Sequence, residues 1–224
     1  MKSFILLALI LLWSGLAVAA EPDASMSFQG YSGLINTPTA TLFDEGKLYL
    51  QYGNQVESIG GYRTGDNYNF GIGVWEYVEI SARLADYNAG RRGNYTIIDK
   101  EGMRDLSANI KLGIPFIPKD WFSLAVGIQD LGGVAKASFF DAKYAVASKT
   151  LFDNINFSFG LGESASRLGR LNGVFAGIAW QPFSWAKISL EHDAVDSNVA
   201  VHLSTPQNLF KSGVQLSTNL LASS

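Results

Sequence analysis

The sequence has no cysteine, few charges and few histidines, and each shortage removes a class of protein. Without cysteine the fold cannot use disulfides, and no N-terminal cysteine is available for lipid modification. Charged residues make up 17% of the chain and the net charge is −3, so the basic surface of a nucleic-acid-binding protein is missing. Beyond the N-terminus no apolar run approaches the roughly 18 residues of a transmembrane helix.

The chain is instead rich in residues typical of β-structure. It holds 23 glycines, 14 phenylalanines, nine tyrosines and five tryptophans. Few charges combined with many aromatics and glycines favour an all-β protein with much of its surface out of water. Composition alone also fits a secreted β-sandwich.

The first 20 residues have the features of a secretory signal peptide. Lys2 supplies a positive start, Phe4–Val18 is apolar, and Ala17 and Ala19 occupy the small-residue positions of a cleavage site. The apolar run is shorter than the roughly 20 residues of a spanning helix. We therefore predict a signal peptide over 1–20, cleaved near Ala20, followed by a lead-in or plug segment over 21–45 and a β-domain over 46–224.

Apolar residues alternate with small or polar ones in about eleven segments of the β-domain. Tyr68, Phe70 and Ile72 show the pattern, and so do Phe157 and Phe159. The opposite face is dominated by Gly, Ser, Asn, Ala and Gln, whereas the outer face of a soluble sandwich usually carries many charges. Segments of about nine to eleven residues also match a tilted transmembrane strand. We predict an all-β protein, an antiparallel up-and-down transmembrane β-barrel of about 10–12 strands, in the outer membrane; a soluble sandwich is the alternative.

The connections support the same interpretation. The link at Trp75-Glu76 and the turns at 114–120 and 181–184 are short, whereas 86–104 and 163–172 are long and polar. Short turns on one side and long loops on the other are typical of outer-membrane barrels.

Several stretches resemble a known family. Residues 30–40, GYSGLINTPTA, resemble the G-x-x-G-L-I-x-x-P-x-A opening of the YjbH family of outer-membrane β-barrel proteins. The stretches 124–133 and 143–149, Phe159–Gly162 and Leu190–Asp193 are also similar to it. The resemblance covers most of residues 28–195.

The resemblance implies a role in exopolysaccharide export or assembly, without a settled mechanism. Expected partners are outer-membrane lipid, the polysaccharide and proteins of the export machinery. Family members are usually several times longer, and the chain ends without the terminal aromatic residue of many barrels. Both departures leave open two further arrangements: the chain forms an oligomer, or a partner chain completes the barrel.

Candidate binding residues lie in the long loops and on the polar face. Arg91, Arg92, Arg104, Arg167 and Arg170 are candidates for contact with an anionic polysaccharide or lipopolysaccharide phosphates, although solvated loop charge is the plainer interpretation. Three acidic residues are candidate lumen carboxylates: Glu191, Asp193 and Asp130.

Catalysis has little support in the sequence. Glu191-His192-Asp193 could suggest a lipid-modifying barrel enzyme, but neighbouring strand residues point to opposite faces, so the carboxylates would be separated from His192. No metal-ligand spacing and no nucleotide-binding loop appear, and we expect no cofactor. We predict a non-enzymatic barrel. A lipid-modifying enzyme and a soluble periplasmic glycan-binding β-protein stay open as alternatives.

Overall fold

The structure, a computed structural model, describes residues 24–54, 65–87, 103–118, 121–131, 140–164, 170–206, 209 and 214–223. Within them the chain forms eleven β-strands. These strands are β1 (Leu48–Gly53), β2 (Gly65–Trp75), β3 (Val78–Tyr87), β4 (Met103–Gly113), β5 (Ser123–Gln129), β6 (Ala142–Leu151), β7 (Ile155–Glu163), β8 (Gly173–Phe183), β9 (Ala186–His192), β10 (Ser197–Ser204) and β11 (Ser217–Ser223). The predicted signal peptide lies outside the described residues.

All eleven strands form one sheet in chain order, and each neighbouring pair is antiparallel. The all-β, antiparallel, up-and-down prediction is confirmed. Alternation of Val214 and Leu216 predicts a last strand that begins near residue 214, but both residues precede β11. Alternation over 214–220 continues through the boundary, so the sequence pattern does not mark where pairing starts.

Tight turns connect the strands on one side of the sheet. β2 and β3 are joined by Glu76 and Tyr77, and β8 and β9 by Ser184 and Trp185. The longer connections from β3 to β4 and from β7 to β8 lie on the opposite side, because successive strands run in opposite directions. These four connections fall on the sides predicted from the sequence, whereas the 12-residue connection from β10 to β11 lies on the side of the tight turns and the short β9–β10 turn on the opposite side. We call the two sides the short-turn side and the long-loop side.

Burial across the sheet is inverted relative to a water-soluble protein. Arg83, Glu79 and Lys111 are each 1% exposed, whereas Leu50 and Phe159 are 73% and 56% exposed. Along β7 and β9 the buried positions are the polar ones and the exposed positions the apolar ones. Side chains alternate between the faces of a strand, so the sheet has one polar, covered face and one apolar, open face.

The polar face is covered by residues 24–46, which we call the inner segment. The Ser32 amide and hydroxyl of this segment donate hydrogen bonds to Glu79 of β3, and the Ile35 amide donates one to Glu191 of β9. In a flat sheet β3 and β9 would be about 29 Å apart, six strand spacings. Three residues of chain reach at most about 11 Å. The sheet therefore curls around the inner segment, with its polar face inside.

In the described part of the chain the sheet is not closed on itself, so closure into a barrel stays a prediction. Among the described strands, β1 pairs with β2 alone and β11 with β10 alone. Whether the first and last strands pair depends on how close they lie in space. The alternation of residues within each strand gives no information about that distance. No helix in the described part of the chain is long and apolar enough to cross a membrane.

Candidate functional site

The inner segment carries a tight hairpin loop at the centre of the polar face. Gly33 and Pro38 form an antiparallel bridge, and the Leu34 amide donates to the Thr37 carbonyl at 2.9 Å. A Cβ atom on Gly33 would lie 2.2 Å from the Thr37 carbonyl oxygen, so only glycine fits this approach. The loop leaves the amides of residues 35–37 pointing toward the sheet.

Glu191 of β9 binds this loop, and we call the contact the Glu191 anchor. Its carboxylate accepts hydrogen bonds from the amides of Ile35 (3.0 Å), Asn36 (2.7 Å) and Thr37 (3.0 Å). The Thr37 hydroxyl donates a further bond of 2.7 Å. Successive backbone amides form a concave anion-binding nest, and here a buried carboxylate occupies it.

A second carboxylate beside the anchor ties the loop to the long-loop side. Asp193, fully buried, accepts a 2.6 Å bond from the Arg170 guanidinium and longer ones from the side-chain amides of Asn36 and Asn198. Its other oxygen accepts from the backbone amide of Asp196 at 2.8 Å. Because Arg170 belongs to the connection between β7 and β8, the carboxylate links that connection to the inner segment.

The opposite wall holds the segment through Glu79 of β3, and we call this contact the Glu79 anchor. Glu79 accepts bonds from the amides of Ser32 (2.8 Å) and Phe43 (2.9 Å) and from the Ser32 hydroxyl. Lys111 of β4 lies 3.4 Å from the carboxylate and donates to the carbonyls of Ser32 (2.8 Å) and Thr41 (2.9 Å). The anchor thus joins a buried ion pair to the backbone of the inner segment.

A third polar group surrounds Gln29. Its side-chain oxygen accepts from Arg83 at 2.9 Å and from Gln129 at 3.1 Å. Its backbone carbonyl accepts from the Asn109 amide at 3.0 Å, and the same side chain of Asn109 accepts from the backbone amide of Asp130. Asp130 is 4% exposed and lies at the end of β5.

Apolar contacts fill the remaining space on the polar face. Tyr31 of the inner segment is fully buried and packs its ring 5.7 Å from that of Tyr144, which meets Phe175 edge-on. Glycines make room for the largest side chains: a Cβ on Gly177 would lie 2.2 Å from Leu34. The part of the interior that the structure describes is therefore packed rather than open.

The arginines proposed as loop contacts are not brought together. Arg91, Arg92 and Arg167 lie outside the described residues. Arg104 is exposed and its guanidinium is 3.5 Å from Asp86, whereas Arg170 turns inward to Asp193. Of the predicted lumen carboxylates, Glu191 and Asp193 share one cluster, and Asp130 lies in the Gln29 group on another part of the face.

The histidines lie on different faces. His192 is exposed on the apolar face, where its Nδ1 is 3.4 Å from the Ser197 hydroxyl, while Glu191 and Asp193 point inward. His202 lies beside the inner segment, and its Nδ1 is 2.5 Å from the side-chain oxygen of Asn219. No group of three His, Asp or Glu side chains able to hold a metal ion occurs among the residues the structure describes.

The sequence interpretation missed Glu79 and Arg83 as binding residues. Alternation with Val78, Ile80, Ala82 and Leu84 predicts that both lie on the polar face, but it does not indicate that they bind the inner segment. A signal was present, because charged residues facing inward on neighbouring strands need partners. Glu79 is opposite Lys111 in the β3–β4 register, so opposite charges at matched positions could have indicated a buried pair.

Comparison with known proteins identifies the family. Residues 25–174 match the YjbH family, whose description is "Exopolysaccharide biosynthesis protein YbjH". The chain belongs to the YjbH family. The matched region includes the inner segment and β1–β7 and reaches the start of β8.

A curated relative from Escherichia coli strain K12, named "Uncharacterized lipoprotein YjbH", is 31% identical over 143 residues. That alignment covers 62% of this chain and 18% of the relative, so the chain spans about a fifth of the relative's length. No solved structure matches.

Proposed function

We propose that this YjbH-family protein forms a wall of an outer-membrane β-barrel and has an accessory, non-enzymatic role in exopolysaccharide secretion. The observation that carries the proposal is the inversion of burial across the sheet. Polar side chains such as Glu79 and Lys111 face a packed interior, while Phe157, Phe159 and Leu161 are 44–56% exposed on the other face. A transmembrane barrel places its apolar residues outward in this way.

The hydrophobic effect separates this proposal from a soluble glycan-binding protein. In water, contiguous exposed apolar patches of more than a few hundred Å² are unusual and indicate an interaction surface. Here apolar side chains are exposed on every strand from β1 to β10, as shown by Leu50 at one end and Val199 at the other. Lipid is the partner that covers a band spread over so many strands. At β6 the apolar part of the band is short, because Lys143 and Lys149 lie on the same face on either side of Ala145 and Ala147.

Aromatic residues near the ends of strands support the same placement. Trp75 ends β2, Phe183 ends β8, and Trp121 precedes β5; all three are more than half exposed. Tryptophan is enriched at membrane–water interfaces, where its ring is partly buried and its N–H stays hydrated. These three exposed aromatics mark the short-turn rim of the proposed membrane band.

The packed interior supports an accessory role rather than an open conduit. The inner segment is held at three places on the polar face, by Glu191, by Glu79 and through Gln29. A hydrated sugar chain passing through the barrel would need the interior space that the inner segment occupies. The exopolysaccharide connection itself rests on the family description, and the envelope location also on the relative's name as a lipoprotein.

Cell fractionation tests the membrane proposal. We expect the protein to remain in the outer-membrane fraction after alkaline washing and to show a heat-dependent change in gel mobility. Release into the soluble fraction by the wash would favour the glycan-binding alternative.

Quantified secreted polymer tests the role. A deletion strain grown under conditions that induce the polymer should secrete less or altered polysaccharide and regain the normal product on complementation. Lipid A and phospholipid profiles should stay unchanged. Unchanged polymer with altered lipid A acylation would favour the lipid-modifying enzyme instead, and a His192→Ala complement would then fail to restore the lipid profile.

A further inference from the structure

The outer face of the sheet carries an apolar groove that crosses four neighbouring strands. The groove has a volume of about 690 Å³ and is open to the outside. It runs over β6, β7, β8 and β9, a width of about 14 Å, which is three strand spacings. Its apolar lining comes mainly from Phe157, Phe159, Ile178 and Leu190. The groove is therefore part of the band that the membrane proposal assigns to lipid.

Two rows of outward side chains form the groove. The first row pairs Phe157 of β7 with Ile178 of β8. The second row lies one residue pair nearer the long-loop side and places Phe159 between Ala147 of β6 and Ala176 of β8. Alanine is much shorter than phenylalanine, so the second row leaves a depression on both sides of the Phe159 ring. The small side chains form the floor of the groove and the large ones form its walls.

Lys149 lies at one end of the groove and supplies its positive charge. It is half-buried on the outer face of β6, two residues before the strand ends on the short-turn side. In the β6–β7 register it is opposite Phe157, whereas Lys143 of the same strand is opposite Glu163. Lys149 is the one lysine or arginine among the described residues that line the groove. The groove thus combines a charged end with an apolar body.

A lysine on a lipid-facing apolar surface is stabilised by an anion. Moving an ammonium group out of water is costly unless an opposite charge meets it, and lipid-facing lysines extend toward the headgroups for this reason. For Lys143 the cross-strand Glu163 can supply that charge. Around Lys149 the walls of the groove are apolar, and a lipid phosphate can approach from outside the protein. An ammonium group has three donors, so it can bind a phosphate in addition to its contacts within the chain.

We propose that this groove binds one anionic phospholipid of the leaflet on the short-turn side. The Lys149 ammonium binds the phosphate, and one acyl chain lies over Ala147 and Ala176. The inference rests on the membrane placement proposed above and adds to it a preferred lipid. An anionic lipid complements the site better than a zwitterionic one, because a choline or ethanolamine headgroup places its own cation beside the phosphate.

Native mass spectrometry of the intact protein tests the site. The protein is extracted in a mild detergent and offered equal amounts of phosphatidylglycerol and phosphatidylcholine with the same acyl chains. We expect one retained lipid per protein and a preference of about tenfold for phosphatidylglycerol, which corresponds to about 1.4 kcal/mol. Equal retention of the two lipids, or retention of neither, would overturn the proposal without the use of any variant.

Substitutions at the charged end separate recognition of the phosphate from general attraction. Lys149→Gln should abolish the preference for phosphatidylglycerol, whereas Lys149→Arg keeps the charge and should retain it. Lys143→Gln is the matched control, because it removes a lysine from the same face of the same strand outside the groove. It should leave the preference unchanged. An equal loss of preference in Lys143→Gln and Lys149→Gln would indicate general attraction by basic residues and refute a specific site.

Filling the groove tests the place of the acyl chain. Ala176→Phe puts a ring on the floor of the groove and should reduce retention of both lipids. Ala108→Phe makes the same change on the outer face of β4, away from the groove, and should retain lipid as the native protein does. Heat-modifiable mobility confirms that each variant is folded. Undiminished retention by folded Ala176→Phe would show that the chain does not lie in this groove.

Alkaline washing separates this proposal from the membrane placement on which it rests. If washing releases the protein from the outer membrane, the placement itself fails. If the washed protein stays in the membrane but has no preference between the two lipids, the placement stands and the lipid site alone is refuted. A lipid-free dimer in the mass spectrum would show that a second copy covers the groove, and it would also overturn the proposal.

Discussion

Phe157 and Ser158 are neighbours in β7 and experience opposite environments. The Phe157 ring is 44% exposed on the apolar face, whereas Ser158 is 5% exposed and its hydroxyl is 2.7 Å from that of Ser148. The same contrast recurs along the sheet. The inner face is built from specific donors and acceptors, while the outer face is described by hydrophobicity alone.

This difference predicts two kinds of tolerance. On the inner face a substitution must keep the shape and the hydrogen bonds, because a buried polar group without a partner is costly. On the outer face any apolar side chain should suffice, but a charge should not. The variants below test this contrast, beginning with the largest expected effect.

The Glu79 anchor should be the most sensitive position. Glu79→Ala leaves Lys111 buried without its carboxylate and removes the acceptor of the Ser32 and Phe43 amides. Removing one partner of a buried ion pair costs about 3–5 kcal/mol. We expect a loss of that size in the free energy of unfolding, measured by urea titration in lipid vesicles.

The matched control is the double change Glu79→Ala with Lys111→Met, which also removes the positive charge that Glu79→Ala leaves unpaired. It should recover part of the lost stability, because an apolar replacement of the whole pair is tolerated better than half of it. If Glu79→Ala alone were as stable as the native protein, the inner face would not depend on specific pairing.

The outer face should reject a charge and accept a different hydrocarbon. Phe157→Arg places a guanidinium among lipid chains at a cost of about 2–4 kcal/mol near the bilayer midplane. We expect it to lower the folded fraction in vesicles, scored by heat-modifiable mobility, while Phe157→Leu folds normally. Equal folding of both variants would contradict contact of this face with lipid.

Ser158, the neighbour of Phe157 on the inner face, should not tolerate an arginine. Alternation along β7 predicts that Asn156 and Ser158 face the interior, where a water-filled lumen would tolerate an arginine; both are instead buried and hydrogen-bonded to each other, with Ser158 also bonded to Ser148. Ser158→Arg should therefore destabilise the fold by overpacking rather than be tolerated. The face assignment from the sequence holds, and the close packing on that face leaves no room for an arginine side chain.

The sequence predicts those features of the structure that depend on residues close together in the chain, and it does not predict contacts between residues far apart in the chain. Alternation predicted about eleven strands, and the described residues form eleven, since pleating is a local property; it placed the start of β11 too early. The anchors could not be derived, because Ser32 meets Glu79 across 47 positions and Asn36 meets Glu191 across 155. Those contacts exist only once the sheet has curled.

A single methyl group added on β2 should disturb the close packing between that strand and the inner segment. A Cβ on Gly71 of β2 would lie 2.3 Å from the Phe43 ring and 2.8 Å from the Met26 side chain. Gly71→Ala should cost about 1–3 kcal/mol of unfolding free energy through overpacking. In Gly53→Ala the new methyl meets nothing within 4 Å, so this control should stay near native stability. Equal stability of the two variants would show that the segment does not press against β2.

The smallest expected effect concerns one hydroxyl at the Glu191 anchor. Thr37→Val keeps the shape of the side chain and removes the 2.7 Å bond to Glu191, while the three backbone amides still bind the carboxylate. A hydrogen bond to a charged group contributes about 1.5–3 kcal/mol, and the remaining donors should hold the loss near the lower end of that range.

A double-mutant cycle with Glu191→Gln isolates this contact from the rest of the anchor. The losses caused by the two single changes should add up to more than the loss in the double variant, because Glu191→Gln removes the charge that strengthens the Thr37 bond and Thr37→Val removes the bond itself. Thr218→Val, on the exposed face of β11, serves as the matched control and should show no coupling to Glu191. If Thr37→Val and Glu191→Gln were strictly additive, the hydroxyl would not contribute to the anchor, and the amides of residues 35–37 alone would hold the loop against β9.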